Sequence, residues 1–386
     1  MDKLKERLKQ ADWWEITYLI IYGGVFTFEF LNTTMFEVKW PPKFAYIFLA
    51  STALYVMAKI IWHNTYTKKE MIWAGIILFA FLMPALLTEY RFLWYTGFLI
   101  VGAKDIDFDK ILKVYLVIGI TIMVAAFGAS QMGWIENLQY EALRGENLII
   151  RNSFGSVYPT DFAAHIFYLV IASVCISEPI KTGSKLFITS LLAVFVLNWC
   201  GARTSSICMM ALVIAIIVYQ SLKKIIEKEK ILYILNAFPF TLAGMFLGLV
   251  HFFDYEKEWM VKIDSFLSNR LIISKVAINS YEYKLFGQYI RESGLGRLEG
   301  IRQDYFFLDN SYIRIALLYG VILFLVVMML FWKQGLRAIQ EKRIILIIAI
   351  AIIAMHSFME HHLIEIAYNP LLCFLFTKKD VIVDKG

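Results

Sequence analysis

Charge is scarce in this chain. Asp, Glu, Lys and Arg together make up 18% of its 386 residues, against about 25% in an ordinary soluble domain. That shortage excludes a soluble globular enzyme, a disordered chain and a fibrous protein. Cysteine is rare as well. Cys175, Cys200, Cys208 and Cys373 lie in or beside apolar runs, with no CxxC pair and no histidine at ligand spacing. They read as small buried hydrophobes, not as disulfides or metal ligands. No small-residue cleavage site follows the first apolar run, so no cleaved signal peptide is expected. The alternating ten-residue pattern of an outer-membrane barrel is missing too.

What the chain does have is apolar surface. Residues of the AVILMFWYC set reach 59%, and mean hydropathy is +0.62. Surface of this kind needs a solvent other than water, which points to an integral membrane protein. A crossing helix takes about 20 mostly apolar residues. Twelve stretches qualify: 14–31, 44–62, 71–88, 91–103, 111–131, 158–177, 186–201, 204–222, 231–253, 311–332, 344–359 and 362–377. The expectation is an all-α polytopic membrane protein, one membrane domain over 1–386, with about twelve transmembrane helices. The stretch 91–103 is the weakest; it is kept as a crossing, short or half-buried, because without it the lysine-rich 221–230 and the basic 333–343 would fall outside.

Lysine and arginine in short loops orient the bundle. With both termini in the cytoplasm, 22 of them fall on the cytoplasmic side, from Lys3, Lys5, Arg7 and Lys9 through Lys181 to Lys385, and 14 fall outside. The net charge of +6 therefore follows the membrane and is no sign of nucleic-acid binding. Arginine breaks the pattern. Nine of twelve lie outside: Arg91, Arg144, Arg151, Arg203, Arg270, Arg291, Arg297, Arg302 and Arg314. Anionic lipid needs only a point charge, whereas the guanidinium fork grips phosphate or carboxylate in two places. An arginine-rich outer face suggests an anionic ligand there. Snorkelling at the interface is the plain alternative for any single one.

Two outer loops are long, 132–157 and 254–310. The second is too long for a simple connection and carries apolar residues at helical spacing through Leu271–Ile278. It reads as an ordered, partly helical lid between the ninth and tenth spans. Gly201–Ser205 makes a tight outer hairpin whose one charge is Arg203. Asp161 and His165 stand one turn apart at the outer end of a span, where ionisable groups usually face a cavity; Asp161 also suits the first turn of a helix. Asp309, before Asn310 and a strong span, reads either as a helix N-cap or as a carboxylate at the membrane surface. Met359-Glu360-His361-His362 closes the last outer hairpin. Adjacent residues on a helix point about 100° apart, so this His-His pair reads as a poor chelate, and no metal is expected. Glu360 is the better candidate for a polar substrate contact. The glycines near 287–296 are too loosely spaced for a nucleotide-binding fingerprint, and no strand precedes them.

These pieces, taken in order and on one side of the membrane, resemble the bacterial polysaccharide polymerases and O-antigen ligases. The residues that carry the resemblance are Arg151 with Ser153-Phe154-Gly155, Arg203 with Thr204-Ser205, Arg270-Leu271 with Leu285-Phe286-Gly287, and Asp309-Asn310 before Leu317-Leu318-Tyr319-Gly320. In the ligase branch the position before the Asn is typically His; here it is Asp309, which leans towards a polymerase. The resemblance implies a glycosyltransferase of the bacterial cytoplasmic membrane, independent of metal and cofactor. It would transfer a growing glycan from a polyprenyl diphosphate to a second lipid-linked repeat unit, with a chain-length regulator as a further partner. Arg151, Arg203 and Arg270 would hold the diphosphate. Asp309 or Glu360 would serve as base, and Asn310, Asp161 and His165 would contact substrate. A ligase acting on another acceptor, or a flippase for the same lipid-linked sugars, are the competing readings. The flippase would show inverted repeats and interrupted helices; no convincing repeat is seen, and Glu29 and Lys59 lie at span ends.

Overall fold

The computed structural model describes residues 12–379, apart from 37, 39–40, 42, 64–65, 89, 145–146, 177–181 and 298–304. Lys3, Lys5, Arg7, Lys9, Lys181, Arg302 and Lys385 fall outside the described residues, as do both termini. Among the described residues the fold is all-α with one small hairpin. Its helices are α1 (Trp13–Leu31), α2 (Lys43–Ala58), α3 (Lys68–Leu87), α4 (Phe92–Gly102), α5 (Phe108–Gln131), α6 (Pro159–Cys175), α7 (Thr182–Trp199), α8 (Arg203–Ser221), α9 (Glu229–His251), α10 (Glu258–Phe266), α11 (Arg270–Ser280), α12 (Val321–Gln340) and α13 (Ile344–Ser357).

Seven of these, α2 with its π-helical extension to His63, α3, α5, α7, α8, α9 and α12, are long and apolar enough to cross a membrane. The twelvefold count of the sequence reading is thus reached only in part. Their outward faces are apolar, as suits a lipid surrounding. Leu54, Val117, Val124, Phe187, Ile214 and Ile234 are each more than half exposed, where a helix facing water would carry polar groups. The shorter apolar helices α4, α6 and α13 occupy the middle. Nearly every residue of α6 and α13 is buried, so these helices face protein rather than lipid. The stretch 91–103 becomes α4, eleven residues long with both faces covered.

Two stretches that read as plain spans are not continuous α-helices. The stretch 311–332 starts as a short α-turn, Ser311–Arg314, continues as π-helix to Tyr319 and breaks at Gly320. Gly320 has φ 101° and ψ 155°, a conformation open essentially to glycine alone. The segment Lys284–Gln288 plugs the break. Val321 and Ile322 N–H donate to the Lys284 and Leu285 carbonyls (3.0 and 3.1 Å), and Gln288 N–H donates to Leu318 O (2.9 Å). Backbone groups freed by the break are thus satisfied.

The stretch 362–377 is not an α-helix at all. It holds two 3₁₀ segments, His362–Ile364 and Pro370–Phe376, and is buried almost throughout. It still runs from end to end of the bundle: His362 lies beside Asp161, and Lys378 N–H bonds Ile106 O at the other end. Such backbone is tolerated at membrane depth only inside protein. Side chains supply its missing donors. Gln334 Nε2 donates to the Leu371 and Leu372 carbonyls (2.8 and 3.0 Å), and Arg337, one turn on, donates to those of Phe374, Leu375 and Lys378.

The two ends of the bundle differ. One gathers Lys104 on Glu70 (2.9 Å), Lys110 on Glu15 and Arg343 on Asp109. The other carries the loop after α9 and a β-hairpin in the loop 132–157, β1 (Gln139–Arg144) antiparallel to β2 (Asn147–Asn152). The sequence reading assigned no strand there.

Candidate functional site at the arginine end

Each candidate arginine is placed by a different device. Arg151 sits on β2, opposite Tyr140 across the hairpin. Its Nε donates to Cys200 O (3.1 Å), its Nη1 to the Tyr158 hydroxyl (3.3 Å), and it lies over the Tyr158 ring. Arg203 opens α8 immediately after the tight Gly201-Ala202 turn, and its Nη2 donates to Ser268 Oγ (3.1 Å). Arg270 opens α11. That helix start is built by Asp264, whose Oδ1 accepts from the N–H groups of Leu271 (2.8 Å) and Ile272 (3.2 Å), while Ser268 and Asn269 turn through positive φ. An acceptor at a helix start satisfies otherwise orphaned donors.

The three arginines line one cavity of about 280 Å³, together with Asp309, Glu360, Tyr305 and Tyr158. Arg270 Nη1 meets Asp309 Oδ2 at 2.7 Å, and the Tyr305 hydroxyl donates to the same oxygen at 3.3 Å. Asp309 leaves the Arg270 guanidinium above its ordinary range, against the downward pull of burial. Burial, and next the charge of Asp309, push the Glu360 carboxyl up to about 7. A second cavity of about 220 Å³ shares Asp309, Tyr158, Thr160 and Tyr305 with the first and adds Asp161, Phe307, His361 and the Gly294–Gly296 backbone. Among the described residues, no arginine or lysine lines it.

Asp161 faces this second cavity from the first turn of α6, and no side chain caps that helix. Asn310 has a different place. It, not Asp309, is the N-cap before Ser311: its Oδ1 accepts from Tyr312 and Ile313 N–H (2.8 and 3.0 Å), and its Nδ2 donates to Phe358 O (2.7 Å). Those bonds use the side chain and free Asp309 to face the cavity. His165 is fully buried, sandwiched between Phe30 (3.8 Å) and Tyr368 (4.1 Å), with Nε2 2.7 Å from Thr33 Oγ1. It lines neither cavity; the adjoining rings hold it in the core. Arg314 forms a buried pair with Glu292 (2.7 Å) and bonds Leu308 O and the Tyr319 hydroxyl. Arg297 donates to Asn32 O (2.7 Å). These two belong to the scaffold.

Sequence reasoning missed Tyr305, one helical spacing before Asp309, and the helix-building Asp264. It also placed His361 and His362 on a helix. His361 lies outside any helix, and the two rings stand 3.9 Å apart at 46°. The 100° argument therefore does not apply to them. Scans of the chain against protein-family models, curated proteins and solved structures give no match.

Proposed function

We propose that this chain is a membrane glycosyltransferase that lengthens a glycan carried on a polyprenyl diphosphate. The observation that carries the reading is one cavity lined by three arginines and two carboxylates. Guanidinium groups from three separate segments suit a diphosphate better than a single anion, because each gives charge-assisted, bidentate contacts. The lysine-rich end is placed in the cytoplasm and the cavity outside, in keeping with the positive-inside rule. The twelve-crossing topology is retained as part of the proposal, with α4, α6, α13 and the non-helical stretch 362–377 as inner crossings shielded from lipid.

In the reaction, the acceptor sugar hydroxyl attacks the anomeric carbon of the donor glycan. The bond from that carbon to the diphosphate oxygen breaks, and the diphosphate leaves with the electron pair. Its growing charge is met by Arg151, Arg203 and Arg270. The hydroxyl proton passes to a cavity carboxylate, Asp309 or Glu360. The Arg270–Asp309 pair links the two halves: a diphosphate that draws Arg270 towards itself leaves Asp309 freer to accept the proton.

The test is the purified chain in liposomes with a lipid-linked repeat unit. A ladder of longer glycans supports the reading, and Arg203→Lys and Arg270→Lys should abolish the ladder while keeping charge and fold. Transfer to an unrelated acceptor would make it a ligase. Movement across the bilayer without new glycosidic bonds would make it a transporter, and normal ladders from both variants would refute the arginine role.

A further inference from the structure

We infer that the arginine end also holds a divalent cation of the zinc class, between Asp161, His361 and His362. The donor atoms of these three lie within 4.8 Å of one another. His362 is 1% exposed, yet its Nε2 has no hydrogen-bond partner. Buried polar atoms are rarely left so. Its Nε2 stands 3.7 Å from Asp161 Oδ1, too far for a hydrogen bond. Two donors on one tetrahedral zinc, each at about 2.0–2.1 Å, stand roughly 3.3 Å apart. The gap is therefore close to that of two ligands sharing an ion.

The opposite sides of the rings fit the same pattern. His362 Nδ1 faces Glu365 Oε2 at 3.5 Å, and His361 Nε2 faces Glu365 Oε1 at 3.7 Å. This leaves His361 Nδ1, buried and without a hydrogen-bond partner, to face an ion. A carboxylate behind ligating histidines is the usual outer support of such a site. Among the described residues, no lysine or arginine lies within ion-pair distance of Asp161 or Glu365, whose charged neighbours at that range are the two histidines themselves. Two imidazoles and one carboxylate favour zinc over magnesium or calcium, which take oxygen. Asp161 and His361 also line the second cavity beside Asp309, so the ion's remaining position would open towards it, as in sites that bind a substrate oxygen.

The inference stands apart from the proposed reaction and is tested without it. The full chain, purified in detergent and stripped with chelator, is given Zn²⁺ alone, and metal content and calorimetric binding are measured. We expect one retained Zn²⁺ per chain and no retention of Mg²⁺ at the same concentration. Asp161→Asn and His361→Ala should each weaken binding at least about 10–100-fold, the loss that even an outer-support change brings. His251→Ala, outside the cluster with its ring on Leu247 O, should bind as the parent does. Failure to retain zinc, or undiminished binding in both cluster variants, overturns the site. A chain that forms glycan ladders without retaining zinc would refute this inference alone.

Discussion

Replacing either Gly287 or Gly320 with alanine should unlock the plug that lets α12 break. The two glycines meet backbone to backbone. A Cβ on Gly320 would lie 2.4 Å from Gly287 N, and one on Gly287 would lie 2.3 Å from Leu318 O. Neither obstacle is a flexible side chain, so the two segments must separate. Both positions also have positive φ, 81° and 101°, which a side chain raises by roughly 1–2 kcal/mol. Separation removes three backbone hydrogen bonds, those of Val321, Ile322 and Gln288, at about 0.5–1.5 kcal/mol each. Each variant should therefore cost roughly 3–6 kcal/mol. Followed by tryptophan fluorescence in detergent, the melting temperature should fall by something on the order of 5–10 °C. The double variant should fall scarcely further, because either change alone already parts the same contact. A loss below about 1 °C for each single variant, or full additivity, would refute the argument.

Two further substitutions probe how the site is held. Asp264→Ala removes the acceptor that starts α11, at about 0.5–2 kcal/mol, and should lower polymer formation more than that loss suggests, because Arg270 rides on that helix start; Asp264→Asn, which keeps an acceptor, should rescue it. Gln334→Leu leaves the Leu371 and Leu372 carbonyls without their donor, at about 1–3 kcal/mol, and should lower the melting temperature; an unchanged melt would show that the stretch 362–377 does not depend on Gln334.

Helices long and apolar enough to cross a membrane were legible in the sequence, because they follow from composition and run length alone. The tight turn before Arg203 and the helix after Asn269 were legible for a similar reason: both rest on local spacing. What stayed hidden depends on partners far along the chain. Pro370 and the short run after His362 do not reveal a buried 3₁₀ backbone, because its donors, Gln334 and Arg337, sit on another helix. Gly320 reads as a tolerated glycine until Gly287 is seen against it. Asp309 and Asn310 are equal candidates for a cap by residue type, and only the Asn310 bonds to Tyr312, Ile313 and Phe358 separate them. Asp161, Asp309 and Glu360–His362 are far apart in sequence, so no motif search brings them together.

Binding of a short-chain polyprenyl diphosphate in the cavity lined by Arg151, Arg203 and Arg270 is the deciding measurement. Calorimetry on the purified chain should show tighter binding of the diphosphate than of the matching monophosphate. Each arginine-to-alanine change should weaken it by about 10–100-fold, the worth of a lost charge-assisted contact of about 1.5–3 kcal/mol. Equal affinity for both phosphates, or affinity untouched in all three variants, would contradict the account.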